Sequence, residues 1–175
     1  ITLLDSLGTA MGNNNFSVSF WVNVNSASQD AIYLSITRPY DFYVATFSGV
    51  IYLNLGTLSY STGISLSTGW HHIAVTKSSS SGSILYLDNN ATADASKTGN
   101  ITANNIANSI GNYNNGSYVV DGKMGQVRIF NDVLTASEVS DLYTEPAASN
   151  NTLNYPAGAG CIAAYPLQTT AVDLS

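Results

Sequence analysis

Apolar and polar residues alternate along most of the chain with the period of a β-strand. In Phe16–Val24, the residues Phe16, Val18, Phe20, Val22 and Val24 fall on one side, and Ser17, Ser19, Trp21 and Asn23 on the other. That is the pattern of a strand with one face in a core. Runs at 31–36, 42–47, 50–55, 70–76, 83–88 and 123–130 continue the strand reading. Polar turn clusters separate them at 12–15, 78–82, 88–90 and 112–116, where Gly and Asn supply the conformations a tight turn needs. Many short strands joined by polar turns predict an all-β, two-sheet antiparallel sandwich of the jelly-roll kind.

The period becomes helical only once, late in the chain. Thr135-Ala136-Ser137-Glu138 has the form of a capping box, in which the Thr hydroxyl and the Glu carboxylate satisfy orphan amides reciprocally. Val139, Leu142 and Tyr143 then share one helical face, so a short C-terminal helix is expected over 135–144, stopped at Pro146. Residues 146–160, rich in Ala, Asn and Gly, read as a linker after a body of 1–145. Beyond it, in a tail of 161–175, Cys161-Ile162-Ala163-Ala164-Tyr165-Pro166-Leu167 reads as one more strand, far in sequence from the others.

Composition narrows the function classes. Only 9% of the residues are charged, whereas Asn, Ser and Thr make up 58 of 175. Hydroxyls and amides, not charges, hydrate this surface. The net charge of -6 leaves no basic patch to neutralise phosphates, which argues against nucleic-acid binding. No apolar run reaches the length of a membrane span, so no membrane insertion is expected. The single cysteine, Cys161, excludes an intrachain disulfide. Zinc requires several Cys or His at defined spacing. His71 and His72 are adjacent, so on a strand they point to opposite faces and read as structural. The chain opens on Ile1 and is expected to be a piece of a longer protein.

Five segments resemble one family. Phe16 to Val22, Gly69-Trp70-His71-His72-Ile73-Ala74-Val75-Thr76, Leu85-Tyr86-Leu87-Asp88, the run from Ile110 through Tyr113 to Asp121–Asn131, and Leu134 to Tyr143 are similar, in that order, to the laminin-G-like (concanavalin A-like) jelly-roll. The resemblance implies adhesion and carbohydrate-binding modules, parts of secreted enzymes, and repeated domains of virion appendages. In style, the Asn/Ser/Thr-rich body is most similar to repeated domains in phage virion proteins. The resemblance also implies an opening strand that is missing at the front here, and its lookalike is Cys161–Leu167.

The same fold carries glucanases that use a close carboxylate pair on one strand. This chain has only two glutamates, Glu138 and Glu145, both at the helix, and no nucleophile elbow, so no catalytic residues and no enzyme activity are expected. Relatives often bind calcium through an acid on a late strand. Gly125 stands in that place, and a hard cation needs carboxylate oxygens, so no metal and no cofactor are expected. Sugar binding remains. It requires aromatic faces for C–H surfaces and amides or acids for hydroxyls. Arg38, Tyr40 and Asp41 form one candidate group, and Tyr113, Asn115 and Tyr118 a second, whereas Trp21 and Trp70 read as packing residues.

The resulting expectation is a non-enzymatic structural and binding module of a surface or virion appendage, a fibre or decoration, located extracellularly or on a virion. Its partners would be neighbouring copies and cell-surface glycans. The alternative is a carbohydrate-binding module of a secreted hydrolase or a bacterial adhesin. The strand formed by Cys161, Ile162, Ala163, Ala164, Tyr165 and Leu167 is expected to complete a sheet, within its own chain or in a neighbouring subunit, because an open sheet position invites a strand.

Overall fold

The computed structural model describes residues 2–3, 7, 11, 15–36, 42–56, 58–94, 99, 101, 108–113, 116–145 and 153–167. Among them are β1 (Thr2–Leu3), β2 (Phe16–Val24), β3 (Ala31–Ile36), β4 (Phe42–Phe47), β5 (Val50–Leu55), β6 (Leu58–Ser65), β7 (Gly69–Ser78), β8 (Gly82–Leu87), β9 (Asn90–Asp94), β10 (Asn108–Ile110), β11 (Gly122–Phe130) and β12 (Cys161–Tyr165). One helix, α1 (Ala136–Thr144), joins them. The first sheet has the order β1-β10-β3-β4-β5-β6 and the second β12-β11-β2-β7-β8-β9, with every pairing antiparallel. The chain is an all-β, two-sheet sandwich, with one short helix bounded among the described residues.

The core follows from the alternation. β2 pairs with β7 without a break from Phe16↔Lys77 to Val24↔Gly69. Its apolar face lies against Tyr33, Leu34 and Ile36 of β3, Phe42 and Val44 of β4, and Ile51, Leu53 and Leu55 of β5 in one buried cluster. Phe16 meets Phe42 edge to face, with ring centroids 5.0 Å apart, the arrangement aromatic quadrupoles favour. The buried hydroxyl of Tyr33 is paired with Thr46 Oγ1 at 3.1 Å.

The other face of the second sheet is covered by α1. Thr135 caps the helix: its amide donates to Glu138 Oε2 at 2.7 Å, and its Oγ1 accepts from the Glu138 amide at 3.3 Å. Val139 and Leu142 pack with Ala74, Tyr86, Phe130, Leu134, Ala159 and Cys161 in a second buried cluster. Ser17, outward on β2, accepts from the Leu134 amide and donates to Asp132 O, both at 2.9 Å. The polar side of β2 thereby anchors the entry to the helix.

At the far end of α1, Glu145 accepts from both terminal nitrogens of the Arg128 guanidinium, Nη1 at 2.5 Å and Nη2 at 2.8 Å. The Tyr155 ring lies 5.4 Å from the Arg128 Cζ. From Leu153 onward the segment read as a linker is packed, with Pro156 and Ala159 buried. It leads into β12, which pairs with β11 of its own chain from Val127↔Tyr165 to Phe130↔Cys161. Cys161 and Ala163 are buried there, and Ile162, Tyr165 and Leu167 pack against the main core. The strand that is distant in sequence is thus an edge of the second sheet.

Candidate functional site

One end of the sandwich gathers residues 25–30, 48–49, 66–69, 88–89, 111–113 and 116–121. They are tied by backbone and amide contacts. The Asn25 amide donates to Asp121 O at 3.1 Å, and the Asp121 amide to Gln29 Oε1 at 2.8 Å. Asp30 Oδ1 takes the Ser48 amide at 2.6 Å, and Leu66 N–H donates to Gly49 O at 2.9 Å. Gly49 has a φ of +76°, and a Cβ there would lie 1.8 Å from Ala27 O. Only glycine permits this close approach.

Residues 111–113 and 116–121 of one loop build an aromatic platform on the outer side of the first sheet. Gly111 N–H donates to Tyr33 O and Val120 N–H to Gly111 O, both at 2.9 Å, and Tyr113 N–H donates to Ser117 O at 2.8 Å. Ile32 N–H donates to Tyr118 O at 2.9 Å, so the loop continues the ladder of β3. Tyr118 takes a φ of +53°, a conformation that costs an L-residue roughly 1–2 kcal/mol. The residue is 44% exposed. Phe47 stands perpendicular to it at 5.6 Å, and Tyr113 lies at 6.3 Å. Phe47 in turn contacts Tyr52 at 5.2 Å. Four rings therefore run from the loop onto β4 and β5.

Of the residues expected in the second sugar-binding group, Tyr113 and Tyr118 come together here. Asn115, and the whole Arg38, Tyr40 and Asp41 group, lie outside the described residues. Phe47 and Tyr52 were missed; both fall on the outward side of their strands, a position that alternation reads but whose exposure it does not. The strand residues Cys161, Ile162, Ala163, Ala164, Tyr165 and Leu167 line the β11 edge, where burial pushes the Cys161 thiol pKa up.

The two tryptophans separate. Trp21 packs: it stacks on Tyr143 of α1 at 5.6 Å and 17°. Trp70 is not buried, and the reading of it as a packing residue is corrected, since it is 48% exposed and its ring meets only that of Trp21, in a T-shaped contact at 6.5 Å, among the described residues. The covering helix stops short of it.

The paired histidines have different partners. His71 Nδ1 lies 2.8 Å from Asp88 Oδ2, and its Nε2 lies 2.9 Å from Ser67 Oγ. These are the distances of a Ser-His-Asp set. Asp88 Oδ1, however, also accepts the His72 amide at 2.8 Å, and Asp88 N–H donates to His72 O at 2.9 Å. The carboxylate thus bridges two successive residues at the start of β7, the bonding of a clamp on the β7–β8 pair. His72 is fully buried and meets Ser19 Oγ at 2.8 Å. Burial chiefly, with the Arg128 charge adding and Asp88 opposing, lowers its pKa to about 4.

Among the described residues no group of three His, Cys, Asp or Glu could hold a metal. Gly125 offers no side-chain oxygen on β11, at the place where relatives carry an acid. No described helix is long and apolar enough to cross a membrane.

A family model for the concanavalin A-like lectin/glucanases superfamily, of the laminin G type, matches residues 2–140. The chain belongs to this superfamily. No curated protein sequence matches it. Its jelly-roll is similar to that of a protein from Bacteroides ovatus assigned to carbohydrate binding, with a TM-score of 0.69 and 18% identity over 90% of this chain and 46% of the other. Domain 4 of an extracellular GH43 arabinanase from Geobacillus stearothermophilus, solved with arabinotriose, matches with a TM-score of 0.57 and 20% identity over 75% of this chain and 67% of the other. The heptameric SAP-like pentraxin of Limulus polyphemus gives a TM-score of 0.53 and 15% identity over 75% and 70%. At these identities the likenesses speak for the fold. The chain spans less than half of the Bacteroides protein.

Proposed function

We propose that this jelly-roll is a non-enzymatic binding module that takes glycans at the Tyr118 platform, as a structural part of a surface or virion appendage. The observation that carries the reading is Tyr118 itself. It is 44% exposed, held at a positive φ and braced by Phe47 and Tyr113. An ordered aromatic face that water does not favour is suited to the C–H side of a sugar ring, and Asp121 and Asn112 of the same loop supply polar groups. The backbone strain at Tyr118 is explained if the ring must be presented there.

Catalysis has no part in this reading. Both glutamates are engaged, Glu138 in the helix cap and Glu145 with Arg128, which leaves no glutamate for a nucleophile–acid pair. Metal has none either. EDTA is expected to leave the melting temperature unchanged, and a drop would reveal an ion that stabilises by mass action.

Replacing Tyr118 with Ala is expected to lower glycan binding about tenfold or more, as loss of a central aromatic anchor does, with the circular dichroism spectrum unchanged. A glycan array on which the native chain binds nothing rejects the reading. The likeness to domain 4 of the arabinanase, solved with arabinotriose, favours one second reading, a carbohydrate-binding module of a secreted hydrolase or adhesin. The parent reading frame separates the two: a catalytic domain beside this one supports the second, and further jelly-roll copies support the first.

A further inference from the structure

Trp70 has no role in the Tyr118 platform, yet it is the bulkiest of the exposed apolar side chains among the described residues. It stands in a straight cross-strand row on the outer side of the second sheet. Lys123 of β11 pairs with Asn23 of β2, and Asn23 pairs with Trp70 of β7. Alternation turns all three outward, because Val22 and Val24 are buried and Met124 packs against the core. Adjacent strands lie about 4.8 Å apart, so the row sets an ammonium, an amide and an indole across roughly 10 Å.

The row is prepared for a ligand. Trp70 meets Trp21 in a T-shaped contact at 6.5 Å, and Trp21 is itself stacked on Tyr143. A ring held in this way loses little freedom when something stacks on it. Lys123 is exposed, and no carboxylate among the described residues lies within ion-pair distance of it. The other described cations are committed: Lys77 is buried and donates to Ser78 O at 2.8 Å, and Arg128 is held by Glu145.

We propose that Lys123, Asn23 and Trp70 form a second binding row, for a sugar that carries a carboxylate. The apolar face of the pyranose stacks on Trp70, the Asn23 amide bonds its hydroxyls, and its carboxylate meets the Lys123 ammonium. The row lies on the opposite face of the sandwich from Tyr118 and does not depend on that platform.

The test is titration of the whole chain, by calorimetry, with short oligogalacturonate and its methyl ester, and with sialyllactose and lactose. At least one carboxylated probe is expected to bind about threefold or more tighter than its uncharged counterpart at low salt, the size of an exposed ion pair. Lys123→Gln should erase that preference, and Lys123→Arg should keep it. Trp70→Ala should weaken binding about tenfold. Equal affinity for charged and uncharged probes, a preference that survives in Lys123→Gln, or no binding by either carboxylated probe overturns the proposal. Lys123 is exposed and makes no ion pair among the described residues, so its variants keep the test valid even if Trp70→Ala fails to fold.

Discussion

Replacing Glu145 with alanine is expected to destabilise the fold by about 3–5 kcal/mol, the usual effect of breaking a buried ion pair. The Glu145 side chain is 0% exposed and that of Arg128 5%. Alanine would leave the guanidinium desolvated, without the carboxylate that meets both of its terminal nitrogens. It would also release the end of α1, since the two residues join the helix exit to β11. Urea unfolding at neutral pH measures the loss, and a change below about 1 kcal/mol would mean that water reaches the guanidinium. Replacing the pair together, Arg128→Met with Glu145→Leu, is expected to recover most of it. Paired charges offset a desolvation penalty that apolar side chains never incur.

That ion pair shows where the sequence stops being readable. Glu145 is one of only two glutamates and sits just past the helix. Nothing in its neighbourhood names a partner seventeen residues back on a strand. Glu138, by contrast, was legible as a cap because its partner Thr135 is three residues away and the box is a local pattern. The same division holds for the strands. β2 was plain from its alternation of large apolar residues with Ser and Asn. β6, with Ser59, Ser61, Gly63 and Ser65 on its outer side and only half-buried residues on the other, carries too little contrast for its period to stand out. It is an edge strand, with less to bury. The short strands β9 and β10 are defined by their neighbours more than by their own residues.

The candidate site divides in the same way. Tyr113 and Tyr118 could be singled out together because one polar loop holds both. The bracing of Tyr118 by Phe47 comes from a different hairpin, and no spacing announces it. Trp21 and Trp70 look alike in sequence, each flanked by strand residues and each outward. Their fates differ because α1 covers one and ends before the other, and the reach of a helix across a sheet is a tertiary fact.

Lowering the pH is expected to weaken the fold through His72 before general acid unfolding begins. The residue is 0% exposed, its ring lies beside the stacked pair of Trp21 (5.2 Å) and Tyr143 (5.8 Å), and its pKa is lowered to about 4 from the usual 6.5. Between those two values the unfolded chain binds a proton that the native chain does not, so stability falls as pH falls. The contribution is complete above about pH 6.5 and exhausted below about pH 4. Integrated over that window it is about 3 kcal/mol, comparable to the loss of the buried ion pair. The cost of protonation is structural as well as electrostatic. A charged imidazolium would need a hydrogen-bond acceptor at Nδ1, and that atom has no partner among the described residues. Urea midpoints measured from pH 7 to pH 4 should therefore decline in the native chain and decline less in His72→Gln, whose side chain is neutral and can still meet Ser19. If the two curves run parallel, the acid sensitivity belongs to the carboxylates, and His72 is protonated without strain.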